Sequence, residues 1–413
     1  MNPKLAIDGG PKIRATPLPG RQLITAAEKA AVVALFDQAI AGGEQLLGYN
    51  GPQEEAYCKE FAAWLGDGFA DGVNSGSNAV YVALRALDLE PFGEVIVGPI
   101  TDAGGIMPVA LCNQIPVLPD SAPGSYNTGA AQIAACITDQ TRAIIVTHVA
   151  GIPCEMDAIM NLARSRGIPV IEDCAQAHGT LYQGKLIGTF GDIASFSTMF
   201  GKLHATGGQG GVVFTRDEKR YWRIRQMADR GKPFGLGAGR TNVVAALNCN
   251  MDELHACIGR VSLRRLPEFV AARRRIAAQL EKLLREQTQT VRLETGPAGG
   301  ESSYWFGFLR IQPDRWRVDK TQFAAAVGAE GFPVYGAGYY HVPTQWEWFQ
   351  NRAATLPWSS PQYTGQYREQ PPLPNIAATE ATHNRLIFNE SWSSREVEDL
   401  VAAVQKVEQA YLR

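Results

Sequence analysis

Three short stretches bring together residue types that could do chemistry. In "VIEDCAQAHG" (170–179) an apolar run ends in two acids, Glu172 and Asp173. In "SFSTMFGKLHATGGQGG" (195–211) Ser197 is followed five residues later by Lys202, which opens onto a glycine-rich tract. In "GVNSGSNAVYVAL" (72–84) a Ser-Gly-Ser turn leads into a helical pattern. A carboxylate at the end of a buried strand is costly unless a cation answers it. A lysine amine can form an imine with a carbonyl. The first turn of a helix offers unbonded N–H groups, and the positive end of a dipole, to an anion.

These groups must be held by a scaffold. Short apolar, β-branched runs occur at 94–99, 114–120, 142–149, 168–173, 192–198 and 210–215, with helical patterns such as 77–87 and 157–167 among them. Continuous apolar strands alternating with helices predict a mostly parallel sheet covered on both faces. Ligands of such sheets sit beyond the carboxyl ends of the strands, where Asp173 and Ser197 are expected. After about residue 250 the character changes. A long amphipathic helix is predicted over 252–287, with a break or kink at Pro267. An aromatic-rich strand is expected at 302–312, and helices at 320–331 and 393–413, the last opened by a Ser393–Glu396 capping box. Residues 337–376 read as an ordered surface loop. The expected organisation is a large α/β domain over 1–255 and a smaller α+β domain over 256–413.

Lysine, strand-end acid and anion cradle are together what pyridoxal 5'-phosphate requires: an imine partner, a carboxylate for its pyridinium nitrogen, and a phosphate site. Other assignments stay open at this stage. Asp173 could cap a following helix, and Ser75 and Ser77 could be ordinary N-caps. His178 and Cys174 read as packed core residues, whereas His204 could be packed or functional. Tyr339, Tyr340 and His341 either line a substrate or pack a loop.

The same stretches resemble the DegT–StrS family of pyridoxal-phosphate-dependent sugar aminotransferases, of fold type I. "EDCAQAHG" is similar to the family's E-D-x-A-Q-A-x-G, and "SFSTMFGK" with "GGQGG" to its S-F-S-x-x-x-x-K and G-x-G-G. "NSGSNAVYVALRAL" resembles its S-G-T-x-A-L helix start, and "LNCNMDELHACIG" its N-x-R-M segment. The resemblance implies that Lys202 carries the cofactor as a Schiff base and shuttles the substrate proton. It implies that Asp173 pairs with the pyridinium and that Gln176 lies against the ring or its phenolic oxygen. Ser197 and the N–H groups of Gly76 and Ser77 would hold the phosphate. Asn248 would reach the phosphate of a partner subunit in a homodimer with shared sites; the bland alternative is that it caps a helix beginning near Met251. Three positions depart from the family pattern. Asp102 stands where an aromatic residue usually stacks on the cofactor ring, Gln209 replaces an acid, and Asn250 replaces an arginine.

The implied reaction moves an amino group from L-glutamate or L-glutamine to a keto sugar or keto cyclitol. The alternatives are a dehydratase or aromatising enzyme, whose relatives replace the lysine with histidine, and a non-catalytic partner subunit. Composition excludes little else. The 413 residues are 45% hydrophobic and carry a formal charge of -2, so no nucleic-acid footprint is expected. No run reaches the ~18 apolar residues of a membrane span. Seven scattered cysteines without C-x-x-C spacing suggest free thiols in a cytoplasmic protein, and no metal motif is present.

Overall fold

The computed structural model describes residues 4–42, 46–336 and 342–413. Its centre is a seven-stranded sheet made of β1 (Phe69–Val73), β2 (Glu94–Val97), β3 (Ile115–Val117), β4 (Thr141–Thr147), β5 (Val170–Asp173), β6 (Ile193–Ser197) and β7 (Gly211–Thr215). Their order is β1-β7-β6-β5-β4-β2-β3. Strands β2 to β6 pair in parallel, while β7 runs antiparallel to both of its neighbours. The predicted apolar runs supply six of these strands. The seventh, "FADGV", escapes a pattern reading because Gly72 and Asp71 interrupt it. It is an edge strand, and its buried Asp71 is met by Arg225 at 3.2 Å.

A four-stranded antiparallel sheet forms the second layer system, from β8 (Arg292–Leu293), β9 (Gly307–Arg310), β10 (Val334–Tyr335) and β11 (His383–Leu386), in the order β8-β9-β11-β10. The aromatic-rich strand is shorter than predicted. Residues 302–306 leave the sheet, Tyr304 adopts φ 52°, and the N–H groups of Ser303 and Trp305 bond to Gly151 and Ala150 across the molecule.

Helix Glu253–Gln287 threads both cores. Ala256, Leu263, Leu266 and Val270 pack with the large sheet, whereas Ile276, Ala277, Leu280 and Leu284 pack with the small one. Pro267 does not break it. The helix remains one 35-residue element because burial on both sides of the proline outweighs one missing hydrogen bond. The Ser393–Glu396 capping box is present. The 342–376 portion of the expected surface loop is anchored rather than superficial: Phe349, Trp358, Tyr363 and Tyr367 enter the core of the large sheet. Tyr339, Tyr340 and His341 lie outside the described residues. Among the described residues no helix is long and apolar enough to cross a membrane.

One buried carboxylate ties the parts together. Glu390 accepts from Arg273 at 2.9 Å and from Arg21 at 2.9 Å. Arg273 also donates to the carbonyls of Tyr304, Trp305 and Phe388. Burial alone would raise the Glu390 carboxyl, but the charges of Arg273 and Arg21 outweigh it and hold it below 4.5. A carboxylate with a depressed folded pKa stabilises the fold above its unfolded value and loses that contribution as pH falls through the folded one. Glu390→Gln should therefore lower the unfolding free energy by about 3 kcal/mol at pH 7, since it strands a buried guanidinium. Urea titrations should show the gap closing in acid; a gap that persists unchanged at pH 3 would contradict the assignment.

Candidate active site

The site is assembled where β5 and β6 end. Side chains alternate along a strand, so the two acids closing β5 face opposite sides of the sheet. Glu172 is fully satisfied. Its carboxylate accepts the N–H groups of Gly188, Phe190 and Gly191 at 2.7–2.9 Å and contacts His148 Nε2 at 3.3 Å. His148 Nδ1 accepts the Cys154 N–H, so Nε2 carries the proton and donates to Glu172. Cys174 completes a His148–Glu172–Cys174 group compact enough for a metal ion. The histidine and the carboxylate are already committed to these bonds, and the group reads as a structural knot that fixes the 188–191 turn.

Asp173 is treated differently. It is buried, and Oδ1 accepts one N–H, from Ala175, at 3.0 Å. No helix follows it, so it is not an N-cap. Desolvation pushes its pKa up, opposed by the Ala175 N–H and by the charge of Lys202. Its Oδ2 faces Gly105, where a Cβ would approach to 3.0 Å. Against the same glycine lies Thr101 Oγ1, buried and without a hydrogen-bond partner. The threonine hydroxyl is thus left with hydrogen-bonding capacity beside the buried acid.

Lys202 is also buried, and burial lowers its pKa to about 8 against the opposing pull of Asp173 and Asp102. No carboxylate among the described residues lies within ion-pair distance of it. Its ammonium instead sits 3.6 Å from the centre of the Trp305 ring. The backbone at the lysine is clamped. Gly201 O accepts from Arg21 at 2.7 Å and from Trp305 Nε1 at 2.9 Å, and Lys202 O accepts from Arg21 at 3.2 Å.

The third part is the N-terminus of helix α1 (Gly76–Arg85). Ser75 is its cap, with Oγ accepting from Asn78 N at 3.1 Å. Gly76 and Ser77 are the first two helical residues, and their amides have no intrahelical acceptor. Ser197 from β6 closes on them: a Cβ at Gly76 would lie 2.5 Å from Ser197 Cβ and 2.8 Å from its Oγ. The next helix, α2 (Ala103–Leu111), begins alongside, capped by Asp102, whose Oδ1 accepts from Gly104 N at 2.9 Å. A Cβ at Gly104 would meet Ser77 Oγ at 2.3 Å. Serine hydroxyls and first-turn amides, brought close by the two glycines, thus converge as a phosphate would require, with a lysine and a buried acid on the same rim. The residues fit pyridoxal phosphate.

Other expected residues sit as follows. Gln176 is buried, and its Oε1 is committed to the Ala150 N–H at 2.7 Å, steadying the turn that also receives Trp305. Asn248 is exposed, paired through its backbone with Asp229 and accepting from Asn250 Nδ2 at 2.7 Å, and the next residue, Cys249, accepts the Asn74 N–H at 2.8 Å. It does not cap the long helix; Asp252 does. His204 bonds Tyr57 Oη at 2.7 Å and Ser262 Oγ at 3.2 Å, and burial lowers it to about 3. His178 packs against Phe196 and His204, held well below its ordinary value by burial, so it stays neutral. Trp305, Arg21 and Thr101 were not foreseen. Trp305 had a signal, the aromatic run at 302–312, but it reads as core packing.

A family model described as the DegT/DnrJ/EryC1/StrS aminotransferase family matches residues 28–383. GDP-perosamine synthase of Caulobacter vibrioides is 33% identical over 279 residues, 67% of this chain and 74% of that protein. L-glutamine:2-deoxy-scyllo-inosose aminotransferase of Streptomyces paromomycinus is 31% identical over 346 residues, 81% of each. Among solved structures, an aminotransferase from Psychrobacter cryohalolentis superimposes with a TM-score of 0.79 at 27% identity, covering 94% of this chain and 97% of its own.

The depressed lysine has a measurable cost. A buried lysine whose pKa falls from 10.5 to about 8 destabilises the cofactor-free fold below pH 8. The cost, up to about 3 kcal/mol, fades as pH rises from 8 towards the unfolded value. Lys202→Met should therefore stabilise the cofactor-free protein at pH 7 and lose its advantage near pH 10. Denaturant midpoints at the two pH values read this directly; equal differences at both would disprove the shift.

Proposed function

The chain belongs to the DegT/DnrJ/EryC1/StrS aminotransferase family, whose cofactor is pyridoxal 5'-phosphate, and on that premise we propose that it transfers an amino group from L-glutamate or L-glutamine to the keto group of a sugar or cyclitol. Its fold is the fold type I architecture shared with solved aminotransferases. When bound, the cofactor supplies an aldehyde that accepts amines and a ring that takes up electrons. The chain's own residues do the rest. Lys202 Nζ is the covalent anchor. With a pKa near 8 it also takes and returns a proton readily at neutral pH, as a general base and acid must. Asp173, ionised, answers a cationic ring nitrogen. Ser197 Oγ and the amides of Gly76 and Ser77 hold the phosphate, with the helix dipole behind them. Trp305 covers the lysine and limits water at the reacting atoms.

The observation that carries this reading is Asp173: an acid buried at a strand end, with one backbone N–H partner on Oδ1 and its Oδ2 lying against Gly105. The relatives named for 2-deoxy-scyllo-inosose and for perosamine support the acceptor class, and the former supports L-glutamine as donor. All seven cysteines are free, which supports a reducing cytoplasm.

Purified protein should absorb between roughly 330 and 430 nm through the cofactor's own electronics. Borohydride should fix the cofactor's mass on the peptide that contains Lys202. L-glutamate or L-glutamine should shift the absorbance; silence towards every donor would favour a non-catalytic partner subunit. Asp173→Asn should cost on the order of 10² to 10³ in rate, as removing a charge stabiliser does. Near-normal turnover in that variant would sink the role.

The site is proposed to be shared between two copies, with Asn248 donating to the partner's phosphate. Its exposure supports this. Mixing Asn248→Ala and Lys202→Ala protomers then places both lesions in one site and leaves the other intact. Activity should rise on mixing, most clearly at limiting cofactor. If Asn248 acts within its own chain, no site is intact and mixing restores nothing.

A further inference from the structure

We propose that the cavity between helix Pro52–Trp64, strand β1 and helix Glu218–Ala228 is a second ligand site, which takes a small organic cation with a flat apolar body and bonds its N–H groups to Glu54. None of Lys202, Asp173, Ser197, Gly76 and Ser77 lines it, so it is independent of the cofactor site. Its volume is about 530 Å³, inside the range of roughly 300–1,000 Å³ usual for small-molecule sites. Phe69, Tyr221 and Trp222 form an aromatic wall, with the Phe69 and Tyr221 rings stacked at 5.1 Å.

Three carboxylates and two cations line this cavity: Glu54, Glu55 and Asp71, with Lys59 and Arg225. Glu55 is paired with Lys59 at 2.6 Å. Asp71 is paired with Arg225 at 3.2 Å, and Arg225 also donates to Asn50 Oδ1 at 2.6 Å. Both cations are thus spent, and Glu54 is the acid left over. It is 4% exposed, and among the described residues its carboxylate receives one hydrogen bond, from the Asn50 N–H to Oε2 at 2.5 Å. As the third residue of its helix it could serve that N–H equally well as a glutamine. The helix start has another acid in any case, since Glu253 accepts the N–H groups of Gln53 and Glu54 at 2.8 and 2.9 Å. What the Glu54 carboxylate adds is a buried charge without a partner, and a cation with two parallel N–H groups answers it. The aromatic wall then covers the body of the ligand and favours its charge.

The site should be proton-linked. Burial and then the charge of Asp71 push the Glu54 carboxyl up to about 8, against the Asn50 N–H and Arg225. The groups around it do not titrate between pH 7 and 9: Asp71 ionises at about 6, Arg225 stays charged, Glu253 is bonded to two N–H groups, and burial raises Tyr221 and Cys58. Only the ionised Glu54 attracts a cation, so affinity should rise about tenfold from pH 7 to pH 9.

Benzamidine, an aromatic amidinium, is the probe, and neutral benzamide is its control. Calorimetric titration of the full chain should show one benzamidine per protomer, tighter at pH 9, with proton release read from buffers of different ionisation heat. Glu54→Gln, which keeps the bond to Asn50, should weaken binding at pH 9 by about tenfold or more and abolish the pH dependence. A readout on the wild type locates the ligand: Cys58 is partly exposed in the same wall, and benzamidine should slow its alkylation by N-ethylmaleimide while leaving Cys112 unaffected. Absence of benzamidine binding at pH 9, equal binding of benzamide, unchanged affinity in Glu54→Gln, or a Cys58 that is not protected would each overturn the proposal.

Discussion

Asp173 and Glu172 end the same strand, and the contrast between them governs the site. An isolated ionised carboxylate cannot be buried without a large penalty, so it must be bonded, paired or protonated. Glu172 takes the first course, with three backbone N–H groups and a histidine. Asp173 has one N–H on Oδ1, while its Oδ2 lies against Gly105. Strand alternation sends the satisfied acid to one face and the unsatisfied one to the other. The sheet order then brings β6 next to β5, so that Ser197 and the lysine loop arrive on the same rim.

Holding Lys202 requires parts far away in the chain. Arg21 and Trp305 converge on the carbonyls and side chain of two residues, and the Glu390–Arg273 pair in turn holds Arg21 and the Trp305 carbonyl. The small sheet is therefore more than an appendage. Its linker at 302–306, bent at Tyr304, delivers an indole to the lysine and N–H groups to Ala150 and Gly151. Gln176 meets the same turn from the other side. The geometry of the lysine thus depends on the packing of both cores.

Much of this was legible in the sequence because it is local. Lys202, Ser197 and Asp173 declare themselves through strand ends and glycine spacing, and the Ser75–Gly76–Ser77 turn through its helix. Ser75 proves to be the cap and Gly76 the close approach, a division that composition alone leaves open. Strand β1 was not legible, since an edge strand with a glycine and a salt-bridged aspartate lacks the apolar run of its neighbours. Trp305 and Arg21 were not legible either. They lie more than a hundred residues from the lysine or on a segment without periodicity, and only tertiary packing joins them to it. At Pro267 a local rule predicts a break or a kink; the break does not occur, because burial on both sides of the proline keeps the helix continuous.

That proline has a mechanical meaning. Lacking an N–H, it leaves the carbonyl of Leu263 without its usual rung, close to the point where the helix passes from one core to the other. A rod is most compliant where a rung is missing. The rest of the shared helix is stiff on both sides, so strain between the two sheets concentrates at a single turn. Any bend between the two sheets would fall on that turn, while Trp305 stays tied to the large sheet through Gly201 and Ala150.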